Sequence, residues 1–359
     1  MLFLFSTIKR YERHISALSM ITGFAFDNYY FGRVDHPATQ IVLIAYLLSA
    51  IGAIIVLHFI ESRAGLQGNL RKAYPLLVAG TQFALGGLWS AFLVFYGRSA
   101  VIAASWPFLL VLAAMLIGNE LFQRYRSRLA FTCTLLFFAL FSYTIFAVPV
   151  LTGTMSQRIF LLSGVVALIG FGVVLIVLWA IGPERIQKSW RGIALGALGV
   201  FASINLFYFA NILPPLPLAL ANAGVFHAVT KTGNTYQAMA EPQAWYGAAG
   251  AAPVLHVARG DPLYLYSAVF APIQLRTNIL HIWQRYDEAA GGWRTESTVT
   301  FPITGGRDGG YRGYSIKSSP RTGRWRVEIA TADGRIVGRV AFSVASGSAA
   351  APNIPQILK

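Results

Sequence analysis

The stretch "NILPPLPLAL", residues 211–220, divides the chain into two textures. Pro214, Pro215 and Pro217 cannot continue a helix, because proline lacks the amide donor and clashes with the preceding turn. Before this stretch, apolar residues come in long runs. After it, apolar runs are short, alternate with polar residues and are separated by turn residues, which is strand patterning. The chain therefore reads as a helical membrane half, 1–213, a Pro-rich linker, 214–223, a β domain, 224–345, and a disordered tail, 346–359.

Composition agrees with the first half of that reading. Of 359 residues, 55% are hydrophobic and only 12% charged, and the mean hydropathy is +0.56. Soluble domains carry roughly twice that charged fraction. A helix needs about 20 apolar residues to cross a bilayer core. Six runs qualify, near 41–60, 74–96, 100–118, 129–151, 159–181 and 193–213. A seventh, 15–31, is shorter and ends in Asp27, Asn28 and Tyr29, a polar and aromatic group suited to the membrane's outer interface. The expectation is seven spans, or six if 15–31 lies on the surface.

Charge placement orients the bundle. Twelve Lys and Arg fall in four alternate segments: Lys9, Arg10 and Arg13; Arg63, Arg71 and Lys72; Arg124, Arg126 and Arg128; Arg185, Lys188 and Arg191. The intervening loops carry only Arg33, Arg98 and Arg158. Basic residues stay in the cytoplasm. This predicts a cytoplasmic N-terminus and a β domain on the opposite, extracytoplasmic side of the membrane. The net charge of +15 thus reflects topology, and nucleic acid is not an expected partner. The single cysteine, Cys133, lies in an apolar run, so neither a disulfide framework nor a cysteine zinc site is available.

In the β half, candidate strands are 224–231, 262–270, 276–286, 293–303, 311–317, 324–331 and 336–344. "ADGR", 332–335, is a hairpin turn in which Asp–Gly supplies positive φ. Seven or eight short strands predict an antiparallel sandwich of immunoglobulin type. In "RWRVEIAT", Trp325, Val327 and Ile329 share the core face. In "RIVGRVAFSV", Ile336, Val340, Phe342 and Val344 face inward. "TNILHIWQRY", 276–286 without its first residue, is ambiguous. Either Leu280 and Ile282 enter the core, leaving His281 and Trp283 outside, or Ile279 and Trp283 enter with His281 buried and hydrogen-bonded.

"PPLPLAL", "GDPLYLYSAVFAP", "LHIW", "YRGYSIK", "GRWRVEI", "ADGRIVG" and "AFSV" resemble a bacterial family known as domain of unknown function 2914. "GFAFDNYYFGRVD", 23–35, is similar to the membrane halves attached to that domain. The resemblance implies an integral inner-membrane protein with an extracytoplasmic β domain and no established activity.

The candidate binding group is His281, Trp283, Arg312, Ser315 and Lys317. In "YRGYSIK", Arg312, Tyr314 and Ile316 alternate against Tyr311, Ser315 and Lys317; if the strands are neighbours, His281, Trp283, Ser315 and Lys317 line one groove of aromatic, cationic and hydroxyl character suited to sugars or anionic head groups. A Ser315–Lys317 nucleophile would need a neutral lysine, and nothing nearby in sequence provides one. His227, His256 and His281 lack paired metal-ligand spacing, so no metal and no cofactor is expected. Asp27, His58, Glu61 and Glu120 lie near span ends, without the acidic row of a proton path. The expected function is non-enzymatic: the β domain binds a protein partner or envelope component, and the helices contact membrane lipid. The competing readings are an envelope lipid- or glycan-modifying membrane enzyme and a transporter subunit.

Overall fold

The computed structural model describes residues 24–25, 27–31, 35–63, 73–99, 102–121, 128–233, 235–242, 252–307, 309–347 and 353–358. Two compact units emerge. The first comprises Met1–Gly97, Ala104–Val148 and Arg158–Leu213, and the second Arg98–Ala103, Pro149–Gln157 and Pro214–Lys359.

Six long helices are described: α1 Pro37–Ser62, α2 Tyr74–Arg98, α3 Ile102–Leu121, α4 Leu129–Thr152, α5 Gln157–Ile181 and α6 Pro183–Phe209. Five of them, all but α3, are long and apolar enough to cross a membrane; α3 has a shorter apolar stretch, Ala104–Gly118. The expected span at 15–31 falls mostly outside the described residues, although Asp27–Tyr30 is helical. The side chain of Glu120 also lies outside them.

Helix α4 is buried on every side through Leu135–Phe141 and Ile145–Val148. It is the axis of the helical unit. Phe138 stacks on Trp89 of α2 at 5.2 Å, and Phe137 meets Phe171 of α5 at 5.0 Å. Against α6 the packing is closer. A Cβ at Gly192 would sit 2.8 Å from the Ala130 Cβ, and one at Gly196 would collide with Thr134. The Gly192-x-x-x-Gly196 face thus lets two backbones approach, as small residues do between membrane helices.

Helix α6 ends where the prolines require. Asn211 takes φ +56°, the left-handed cap that asparagine tolerates. The amides of Ile212 and Leu213 both return to the Phe207 carbonyl. The first strand then starts at Ala219, inside the stretch expected to be linker.

Eleven strands are described: β1 Ala219–Phe226, β2 Ala228–Thr232, β3 Thr235–Ala240, β4 Val254–Val257, β5 Leu263–Phe270, β6 Arg276–Asp287, β7 Gly292–Thr304, β8 Tyr311–Lys317, β9 Gly323–Thr331, β10 Ile336–Ser346 and β11 Ile354–Leu358. They form sheets ordered β4-β10-β9-β6-β7, β1-β5-β8 and β11-β3-β2. The first two enclose the main core, in which Trp283, Trp325, Val327, Ile329, Leu265 and Phe342 are all buried. The third covers the other face of β5, burying Tyr266 and Ala268 with Phe226, Tyr236 and Leu358.

Two expectations change. Residues 354–358 are not disordered: they pair antiparallel with β3 from Ile354↔Ala240 to Leu358↔Tyr236, and Leu358 closes the second core. Their run is too short to announce a strand without its partner. In β10 a register shift between Ile336 and Gly338 rotates the strand, so Val337 rather than Ile336 enters the main core. A bulge inserts one residue and inverts the alternation there.

Two outcomes are expected. Gly196→Leu will force α4 and α6 apart and lower the thermal unfolding temperature of the purified protein by several degrees. Deleting 353–359 will strip one edge of β3, and hydrogen exchange of the β3 amides will rise at least tenfold while the β9 amides stay protected.

Candidate functional site

The ambiguous strand β6 resolves to its second alternative. Ile279, His281 and Trp283 point inward and are each 0% exposed, while Leu280 and Ile282 are half-buried on the opposite face. The reason lies on the facing sheet. Ser267 of β5 and Ser315 of β8 point into the same space and are also buried. His281 Nε2 is 2.8 Å from Ser267 Oγ, and Nδ1 is 2.8 Å from Ser315 Oγ. Trp283 Nε1–H donates to Ser315 Oγ at 3.0 Å. The Phe301 ring closes over the imidazole edge-to-face at 4.8 Å.

Both imidazole nitrogens are therefore used. A neutral ring has one donor and one acceptor, so one serine accepts and the other donates. Burial pushes the His281 pKa down to about 3. The group is a neutral polar tie between two sheets, closed to solvent.

The remaining members of the expected group separate. Lys317 shares the inward side of β8 with Ser315, but its ammonium lies 5.7 Å over the Trp325 ring and reaches Ser297 Oγ at 3.4 Å. Arg312 alternates to the other side of β8, pairing across from Ala268. There it joins residues that sequence reasoning did not single out. Tyr264 and Tyr314 have ring centroids 6.1 Å apart, Tyr314 and Tyr236 6.5 Å, and Tyr236 and Tyr266 5.5 Å. Lys231 Nζ lies 5.8 Å over the Tyr236 ring. The Tyr236 hydroxyl donates to the Arg312 carbonyl at 3.2 Å. Tyr314 is 39% exposed and Ile316 46%. The result is an open aromatic and cationic platform. Tyr264, Tyr314 and Ile316 carry the right spacing in sequence, but only the β5–β8 pairing brings them together.

A second polar cluster was also not foreseen. Glu241, just past β3, bonds His227 Nε2 at 3.3 Å, His256 Nδ1 at 2.5 Å and the His256 amide at 2.9 Å. Burial acts to raise the Glu241 carboxyl, but the bonds from His256 and His227 outweigh it and hold the pKa below the ordinary carboxylate value. Among the described residues, no three His, Cys, Asp or Glu side chains are arranged to hold a metal ion. Asp27, Asn28 and Tyr29 occupy a short helical segment, with Asp27 half-buried and the other two exposed.

His281 carries a pH dependence of known sign. Unfolded, it takes up a proton below about pH 6.5; folded, it resists until about pH 3. Between those values the unfolded state binds the extra proton, so stability falls as pH falls, by about 1.4 kcal/mol per unit at most. Denaturant titrations between pH 7 and pH 4 should show this slope for the wild type and lose most of it in His281→Asn. His281→Ala, which leaves a cavity and strands the Ser267 hydroxyl, should cost about 3–5 kcal/mol in the same titration at pH 7.

Comparison with known proteins follows the same division. No curated protein matches the sequence. A solved structure, Pseudomonas fluorescens alkylpurine DNA glycosylase AlkC bound to DNA containing an abasic site analog, aligns with 85% of this chain and 98% of its own. Its identity is 10% and its TM-score 0.22, too low to bear on fold or function. The family model described as protein of unknown function (DUF2914) matches residues 276–344, from the start of β6 nearly to the end of β10, so the chain resembles that family over the strands that carry His281, Trp283, Ser315 and Trp325.

Proposed function

We propose that this chain is a multi-pass protein of the bacterial inner membrane whose β domain faces the periplasm and binds an anionic, saccharide-bearing envelope component. Seven spans, counting 15–31, put the N-terminus in the cytoplasm, in line with the twelve-to-three distribution of basic residues.

An immunoglobulin-type reading of the two inner sheets has topological support. Taking β5 to β10 as strands B, C, C′, E, F and G reproduces a G-F-C-C′ sheet facing B-E. The buried Trp283 then stands on strand C, as such domains place it.

The observation that carries the binding function is the platform of Tyr264, Tyr314 and Ile316 beside Lys231 and Arg312. Exposed rings offer apolar faces to a sugar ring, and the cations offer bonds to phosphate or carboxylate. The His281 network favours the non-enzymatic reading over envelope-modifying catalysis. Its histidine is neutral, saturated with partners and enclosed, whereas a general base must reach a substrate proton.

The test is mass spectrometry of the full-length protein extracted in polymer discs. The wild type should retain a stoichiometric anionic glycolipid or glycan. A Tyr314→Ala, Arg312→Gln double variant should retain less than a tenth as much, with an unchanged unfolding midpoint. A stoichiometric protein retained equally by wild type and variant would sink the proposal.

A further inference from the structure

A cavity of about 270 Å³ lies within the helical unit, between α1, α2, α4 and the start of α6. About half of its wall is apolar, chiefly Ile54, Leu57, Val78, Leu85 and Leu135. The other half is polar, and much of it is already engaged. Thr81 Oγ1 donates to the Leu77 carbonyl at 2.8 Å within α2. Gln82 and Thr132 have partners in the protein, and His58 Nε2 is 3.0 Å from the Leu178 carbonyl.

The remaining polar liners, Glu61, Tyr74 and Arg185, sit at the ends of α1, α2 and α6. Both oxygens of Glu61 are occupied. Oε1 accepts from the Tyr74 hydroxyl at 2.6 Å, and Oε2 is paired with Arg185. Arg185 is different. Its side chain is 25% exposed, and among the described residues its guanidinium bonds only to Glu61, through one nitrogen. A guanidinium carries five N–H donors. What this end of the cavity has left over is therefore donor capacity on a cation.

The surrounding charge has the same sign. Arg63, Arg128, Lys188 and Arg191 are exposed beside the cavity-lining segments of α1, α4 and α6, and Glu184 is the one further acid among the described residues there. With Glu61 and Arg185 balancing each other, this end of the bundle is net positive. A cationic ligand would meet that charge and a carboxylate whose oxygens are taken. A plain hydrocarbon would leave the guanidinium donors unmatched. A carboxylate or phosphate matches them, because its oxygens fit the planar fork. Basic pockets between membrane helices take anionic lipid heads for this reason.

The geometry points to a binding site for an anionic amphiphile: a carboxylate or phosphate head bonded to Arg185, with its hydrocarbon chain against Ile54, Leu57, Val78, Leu85 and Leu135. The head belongs either to a free fatty acid or to a membrane phospholipid. Glu61 competes with it for the guanidinium, so Glu61 limits the affinity and takes no part in holding the ligand. This site is separate from the β-domain platform and does not depend on it.

The probe is palmitic acid carrying a mid-chain diazirine, photolysed with the full-length protein in polymer discs, against its methyl ester, which has the same chain and no charge. Peptides from α1, α2 and α4 should take up the acid at least tenfold more than the ester. Glu61→Gln removes the competing carboxylate and should raise the acid's uptake further. Adding Arg185→Gln to Glu61→Gln leaves no stranded charge and should abolish the preference, whereas adding Arg185→Lys should keep part of it. Val78→Trp fills the apolar wall and should lose the labelling at an unchanged unfolding midpoint. Displacement of the label by phosphatidylglycerol assigns the head to a phospholipid, and displacement by oleate alone assigns it to a free fatty acid. Equal labelling by acid and ester in the wild type, or a preference that survives Arg185→Gln in the Glu61→Gln background, overturns the site.

Discussion

Strand β5 is covered on both faces from Leu265 to Val269, with only Tyr264 and Phe270 partly exposed, and the β domain is arranged around that constraint. Leu263, Leu265 and Val269 point into the main core, while Tyr266 and Ala268 point into the second. A strand buried on both sides reads as a nearly continuous apolar run rather than an alternation, and "LYLYSAVF" does so. Two sheets must cover it. The five-stranded sheet covers one side, and β11-β3-β2 covers the other. That second requirement explains why the C-terminal residues 354–358 are recruited: without Leu358 and the β3 they pair with, Tyr236 and Tyr266 would lose their cover.

The double burial also places a hydroxyl, Ser267, at the centre of the main core, where it needs a partner. His281 provides one and engages Ser315 with its other nitrogen. A buried network of this kind is worth little over a well-packed apolar equivalent, but breaking it is expensive. Its consequence is register. A slip of β6 by one residue would turn His281 and Trp283 outward and leave Ser267 and Ser315 stranded, on top of inverting every apolar position. The polar tie thus fixes how the two sheets face each other more firmly than hydrophobic packing alone.

Much of the fold was legible in sequence, for identifiable reasons. Helices announce themselves by run length. The prolines of 214–217 end the last helix whatever surrounds them, and the alternation in "RWRVEIAT" sends Trp325, Val327 and Ile329 inward. What was not legible depends on pairing. Strands β4 and β11 are short, and their partners, β10 and β3, lie far away in sequence. The mixed faces of β6 could not be ranked, because the deciding residues are serines on β5 and β8. Alternation along β8 sets Arg312 beside Tyr314 and Ile316 and apart from Ser315, but that Tyr264 and Tyr236 join that side depends on pairing. Glu241 joins His227 and His256 with no spacing that a motif could record.

The two buried histidines show how differently one residue type can be satisfied within a single chain. Both are shielded from solvent, and burial alone does not distinguish them. The hydrogen-bond inventory does. His281 has a serine at each nitrogen, so the protein itself completes its chemistry and nothing further can bind without breaking a bond. His58 has its donor nitrogen held by the Leu178 carbonyl of α5, while its Nδ1 is buried with no hydrogen-bond partner among the protein's described groups. Desolvating an acceptor without a protein donor is unfavourable, so the position of His58 is held by its other contacts. In the β domain the polar group selects one arrangement of sheets; in the helical unit its bond to the Leu178 carbonyl ties α1 to α5.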